Sequence, residues 1–134
     1  VAGVRRRQPR IADMQPCPCG TGKPYSACCG ALHRGAKAPT AEALMRSRYT
    51  AFVGGFADYL HSTWAKATRP ALSELPTEGL AFNRLQIVRS QGGSLFDSEG
   101  VVEFAAYSPD GVQREVSRFV REDGAWVYLD GDVQ

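Results

Sequence analysis

All four cysteines of this 134-residue chain fall in one short run, Cys17-Pro18-Cys19-Gly20-Thr21-Gly22-Lys23-Pro24-Tyr25-Ser26-Ala27-Cys28-Cys29-Gly30. A stretch so short and so rich in glycine and proline has no apolar core of its own to fold around, and a bound metal ion can take that place. Four thiolates, each about 2.3 Å from a tetrahedral ion, form such a centre. Residues two apart on an extended strand point to opposite sides, so Cys17 and Cys19 share an ion only if the chain bends between or just after them. Pro18 and Gly20 provide the bend, and Gly22, Pro24 and Gly30 turn the rest of the loop. Four thiolates on a divalent ion leave an excess of negative charge, which backbone N–H groups, Lys23 and Arg34 are expected to offset.

Other uses of cysteine fit this spacing less well. A disulfide framework suits a small secreted domain, but no secretory leader is recognisable, and adjacent Cys28 and Cys29 are poorly placed for a mutual bridge. A redox dithiol needs C-x-x-C at the start of a helix after a strand, and neither is present. Iron accepts the same four sulfurs and stays open as the alternative ion. The expected metal ligands are Cys17, Cys19, Cys28 and Cys29, and the expected cofactor is zinc. Four ligands leave no open coordination position, so the ion is expected to be structural rather than catalytic.

The motif Cys-Pro-Cys-Gly-x-Gly-x-x-Tyr-x-x-Cys-Cys-Gly, from Cys17 to Gly30, resembles the SEC-C zinc-binding motif, best known from the C-terminal tail of the bacterial preprotein-translocase ATPase. The segments Ala43 to Phe52, Asp58-Tyr59-Leu60, Trp64, Thr68-Arg69-Pro70, Gly100 to Phe104 and Glu115 to Glu122 resemble the YchJ family of small bacterial proteins. Together the resemblance runs from Met14 to Gly131. It implies a zinc motif followed by an α+β domain like that of nuclear transport factor two, a curved antiparallel sheet wrapped over helices into a cone. It implies no reaction. Where that family tends to carry a histidine just before the Glu-x-Ser-Arg-Phe run, this chain has Arg114, so no role of that histidine carries over.

Composition is that of one globular unit. Hydrophobic residues make up 43% of the chain, and no apolar run approaches the roughly 18 residues that cross a membrane. The expected location is the cytoplasm. Of the net charge of +2, residues 1–13 hold +3, through Arg5, Arg6, Arg7 and Arg10 against Asp13, and the remainder holds −1. That segment lacks apolar periodicity and reads as a disordered basic tail. Met14 stands next to the cysteine cluster, which makes residues 1–13 a candidate upstream extension. The expected organisation is a tail over 1–13, the zinc motif over 14–33 and the α+β domain over 36–134.

Thr40 is a helix N-cap with Glu42 in the first turn. Met45, Tyr49, Phe52, Val53 and Phe56 recur at helical spacing on one stripe. Gly54-Gly55 ends or bends this helix, and a second piece follows over Ala57 to Trp64. Leu72 and Leu75 mark one short turn, and four strands follow over 84–90, 101–107, 112–120 and 125–129, joined by short loops that make an antiparallel meander. With Tyr107 paired to Val112 and Val120 to Ala125, one sheet face carries Phe104, Glu115, Ser117, Phe119, Trp126 and Tyr128. Under the first helix this face makes a candidate pocket at Tyr49, Glu115, Ser117 and Tyr128. The plainer reading has the aromatics filling the core and Glu115 paired with an arginine. Glu103 is expected to pair across strands with Arg114 or Arg118. His33 is expected at the surface of the linker and His61 on a helix surface. No nucleophile arrangement and no glycine-rich phosphate cradle is evident, so whether the chain is an enzyme stays open.

Three functions compete. The knuckle can present Lys23 and Tyr25 to a protein partner, the preferred reading. The helix and sheet can enclose a small molecule or substrate. The basic tail and knuckle can grip nucleic acid, with strong salt dependence. A homodimer through the sheet fits the implied fold, with no stripe that marks the surface.

Overall fold

The Thr40 hydroxyl accepts a hydrogen bond from the Ala43 amide at 3.1 Å, and from this cap runs the longest helix of the computed structural model, which describes residues 11–134. In chain order, helix α1 spans Cys29–His33, α2 spans Ala41–Gly54 and α3 spans Ala57–Ser62. The expected glycine stop is present: Gly55 caps α2 in the left-handed region at φ 73°, a conformation open to glycine at little cost. Leu72–Glu74 form a single 3₁₀ turn, as their spacing predicts.

Strands β1 (Arg84–Gly92), β2 (Glu99–Ser108), β3 (Gly111–Glu122) and β4 (Ala125–Val133) form one antiparallel sheet in the order β1-β2-β3-β4. All four begin within two residues of the expected positions, and three run past their expected ends by two to four residues. Tyr107 pairs with Val112 as expected. Val120 pairs with Val127 rather than Ala125, and a bulge follows between Arg118 and Phe119. Because the pairing differs by two residues, the same side chains stay on the same face. Phe104, Glu115, Ser117, Phe119, Trp126 and Tyr128 do share it.

The expected cone is not formed. The chain is α+β with helices on an antiparallel sheet, but the sheet is an open meander that neither closes nor curls strongly. Consecutive hairpins place β1 and β4 at opposite edges with two strands between them, too far apart to pair. The β4 edge is instead covered locally by the segment after α3. There the Ala65 amide donates to Tyr128 O, and the Tyr128 amide donates to Thr63 O, each at 2.8 Å.

Helix α2 lies between the cysteine loop and the sheet. One apolar cluster joins Ile11, Cys17, Cys19, Tyr25 and Cys29 to Leu44, Met45 and Tyr49, and on to Val102, Phe104, Phe119 and Trp126. A second, smaller cluster of Ala51, Ala57, Leu60 and Leu75 holds α3. Burial on α2 is therefore wider than the stripe that periodicity marks, and it includes Ser47, Arg48 and Thr50. The helix packs on more than one side, so polar positions become interior ones and need partners.

Of the segment read as a tail, residues 1–10 lie outside the described residues. Ile11 is buried, and Asp13 O accepts from the Ser26 amide at 2.9 Å, so the packed part of the chain begins ahead of Met14.

Candidate metal centre

The loop is pinned by its own backbone. The Cys17 amide donates to Lys23 O at 2.9 Å, the Tyr25 amide to Gln15 O at 2.8 Å and the Gly20 amide to Cys17 O at 3.1 Å. Gly20 and Gly22 take φ of 90° and 84°, which lets the chain reverse between Cys19 and Cys28. Gly30 serves a different purpose from turning: a Cβ there would stand 2.7 Å from Tyr25 O. Only a residue without one lets α1 start against the Tyr25 backbone.

These turns bring the four sulfurs to within 4.8 Å of one another. Cys19 and Cys28 are 3.6 Å apart, close to the ~3.8 Å edge of a tetrahedron whose ligands stand 2.3 Å from its centre. All four thiols are free, and Cys17, Cys19 and Cys29 are buried while Cys28 is half-buried. The donor set is all sulfur, which suits a soft or borderline ion. The residues present therefore fit a metal geometrically, and Cys17, Cys19, Cys28 and Cys29 are the ones that would hold it.

Electrostatics points the same way. Hydrogen bonding with Cys19 and Cys29 pulls the Cys17 thiol well below its ordinary range. Contacts with Cys17 and Cys19, with burial, push Cys29 far above it. Cys17 and Cys29, so opposed, do not both ionise without a cation beside them.

The groups around the sulfurs differ from those expected. Thr50, fully buried on α2, donates its hydroxyl to Cys29 Sγ at 3.3 Å and lies 4.0 Å from Cys17 Sγ. The Thr21 hydroxyl stands 3.1 Å from Cys28 Sγ. The cation nearest the loop backbone is Arg46, whose Nη1 donates to Cys19 O at 2.7 Å while Nε pairs with Glu42 at 3.1 Å. Lys23 is exposed, and Arg34 Nη2 donates to the loop carbonyl Ser26 O at 2.8 Å. Sequence distance hid Arg46 and Thr50, which sit on a helix more than fifteen residues downstream. Their helical phase, one turn apart, is the only signal that linked them.

His33 is not a surface residue of a linker. Its Nε2 is 2.9 Å from Ser47 O, which only accepts, so Nε2 carries the proton and Nδ1 accepts from the Tyr25 hydroxyl at 2.6 Å. The ring packs edge-on to Phe56 and Tyr59. Burial lowers its pKa, keeping it neutral. Burial, chiefly, pushes the Tyr25 phenol up to about 12, so Tyr25 stays a donor. This chain of bonds ties the cysteine loop to α2. Tyr25 is thus buried rather than presented to a partner.

At the second candidate site, Tyr49, Glu115 and Tyr128 line a cavity between α2 and the sheet. Ser117 stands behind it, donating to Glu115 Oε2 at 2.7 Å, and the Tyr128 hydroxyl donates to the same oxygen at 2.9 Å. Glu115 is held by hydroxyls and not by an arginine. Glu103 pairs with Arg89 on β1 at 2.9 Å, while Arg118 takes Asp130 and Asp132 on β4. Neighbouring strands on both sides offered partners, and the chosen ones are those the pleat puts on the outer face.

A four-sulfur knuckle packed on an α+β layer is the arrangement of a SEC-C motif joined to a nuclear-transport-factor-two-like domain. The family model for the SEC-C motif matches residues 15–31, and that for the YchJ middle domain, described as NTF2-like, matches residues 40–131. The chain belongs to the YchJ family, whose curated members are called UPF0225 proteins. It is 54% identical to one from Corynebacterium efficiens over 87% of this chain and 92% of the relative. It is 52% identical to one from Streptomyces coelicolor over 87% and 94%. Among solved structures it is similar to a SEC-C motif containing protein from Rhodopseudomonas palustris, with TM-score 0.71 and 31% identity, covering 88% of this chain and 98% of the other. No helix among the described residues is long and apolar enough to cross a membrane.

Proposed function

We propose that Cys17, Cys19, Cys28 and Cys29 hold one structural zinc ion, and that the knuckle so formed is the contact surface of a protein-interaction module. The observation that carries the metal is the convergence of four sulfurs, three of them buried, within 4.8 Å of one another. Zinc accepts this set without redox chemistry, and saturation by protein ligands gives it no substrate position. A site of four thiolates needs its cysteines reduced, which favours the cytoplasm.

The interaction role is supported by which part of the loop faces outward. Gly20, Thr21, Gly22 and Lys23 are exposed while the residues flanking them are anchored, giving a rigid loop tip with a single cation that binds at little ordering cost. Elemental analysis of freshly purified, reduced protein is expected to find one zinc per chain, and no stoichiometric metal defeats the first half of the proposal. Lys23→Glu changes the tip without touching a ligand. Partners captured from extract by the zinc-loaded protein are expected to be lost with this variant; equal capture by both defeats the second half.

A further inference from the structure

Helix and sheet do not fill the space between them. A cavity of about 230 Å³ lies there, walled on most sides by the rings of Phe52, Phe82, Phe104 and Phe119. A void of carbon alone stays dry and costs stability, whereas this one has polar groups in its wall. Arg48 of α2 is only 5% exposed. Its Nη1 donates to Leu60 O at 2.9 Å and to Thr63 Oγ1 at 2.7 Å, and among the described residues its Nε and Nη2 have no partner. The guanidinium carbon sits 5.0 Å from the Trp64 ring centre and 4.7 Å from that of Tyr128. No carboxylate of the described residues forms an ion pair with it. Two further wall residues carry unmet donors: Tyr49 OH and Trp64 Nε1 are buried without partners.

A buried cation left unpaired costs several kcal/mol, and native interiors rarely leave several donors unmet in one wall. The occupant these groups ask for is an anion. Burial lowers the Arg48 pKa to about 10, which still leaves it charged at neutral pH. The one carboxylate in the wall, Glu115, favours the charged guanidinium from a distance but forms no ion pair with it; its Oε2 accepts from Ser117 and Tyr128 instead. A guanidinium edge offers two parallel N–H groups to a carboxylate. The rings beyond it suit a flat apolar body, and the volume is below the ~300–1,000 Å³ of sites for drug-sized ligands.

We propose that this cavity is a binding site for a small aromatic carboxylate, its acid group on the free edge of Arg48 and its single ring among the phenylalanines. The site is separate from the cysteine knuckle, and its test does not depend on the metal being zinc.

The test uses the full chain in its metal-loaded form. Phenylacetate, the isosteric phenylacetamide and the cation benzylamine are titrated in turn, with calorimetry for affinity and NMR for the Arg48 Nε–H and Trp64 indole N–H resonances. Phenylacetate is expected to shift both resonances and to bind at least tenfold tighter than the amide, with no binding of the amine. Ala106→Met narrows the cavity with an apolar side chain and is expected to weaken phenylacetate at least tenfold while the protein stays folded. Equal affinity for acid and amide, absence of any shift, or unchanged binding by Ala106→Met each overturns the proposal. The comparison on the unaltered protein stands even if Ala106→Met, or a replacement of Arg48, fails to fold.

Discussion

Thr50 is a polar residue in the middle of a helix, with a hydroxyl that has no free water to bond. Its bond to Cys29 Sγ at 3.3 Å resolves that problem and gives the sulfurs a donor. Hydrogen bonds of this kind orient a ligand and stabilise its thiolate, and losing one typically costs a site about 10- to 100-fold in metal affinity. Thr50→Val keeps the shape and removes the donor. Competition with a coloured chelator is expected to show zinc held about 10- to 100-fold more weakly by the variant. Unchanged affinity would show the bond to be incidental. Sequence reading picked out from their spacing the four cysteines that the fold brings together, and for their support it named backbone N–H groups, Lys23 and Arg34. Arg34 does bond the loop, at Ser26 O, but Thr50 and Arg46 are near it only in space.

Among the elements, α1 illustrates how tightly the loop is fitted. It starts at Cys29, immediately after a 3₁₀ turn over Tyr25–Ala27, and Gly30 passes against the Tyr25 backbone and ring. Gly30→Ala would set a methyl 2.7 Å from Tyr25 O. Backbone does not yield as a side-chain tip does, so overpacking here is expected to cost ~1–3 kcal/mol and to loosen the Tyr25–His33 bond. Denaturant unfolding of the metal-loaded variant checks this, and an unaltered midpoint would contradict it. Most elements were readable: caps, glycine stops and turn residues act within a few positions, and they placed α2, α3 and all four strands but not α1. The β3–β4 register was readable only in part. Its bulge between Arg118 and Phe119 has no local signature, being set by how β4 must lie to meet both β3 and the segment at Thr63.

The whole molecule has one main apolar cluster, running from the cysteine loop through α2 to the sheet. Sequence divided the chain into a zinc motif over 14–33 and an α+β domain over 36–134. With Cys17, Cys19, Cys29 and Tyr25 buried in the same cluster as Leu44 and Phe119, removing the metal is expected to weaken the domain as well. Zinc is worth an apparent ~10 kcal/mol or more to short peptides of this type. If even a third of that reaches the rest of the chain, chelation lowers its melting temperature by about 10 °C or more. Calorimetry with and without a strong chelator measures this. An unmoved main transition with only the loop melted would mean that the two parts are energetically separate.

The cysteine spacing by itself determined which four sulfurs could share a metal ion, and local propensities determined an α+β chain with a meander sheet. Both are short-range matters, legible wherever the residues that interact are neighbours in the sequence. Tertiary structure alone decided that the sheet stays open rather than closing to a cone, that His33 and Tyr25 turn inward, and that Arg48 is buried with one edge of its guanidinium unpaired. Each of these depends on which distant surfaces meet, and burial converts an ordinary polar side chain into one that must find a partner.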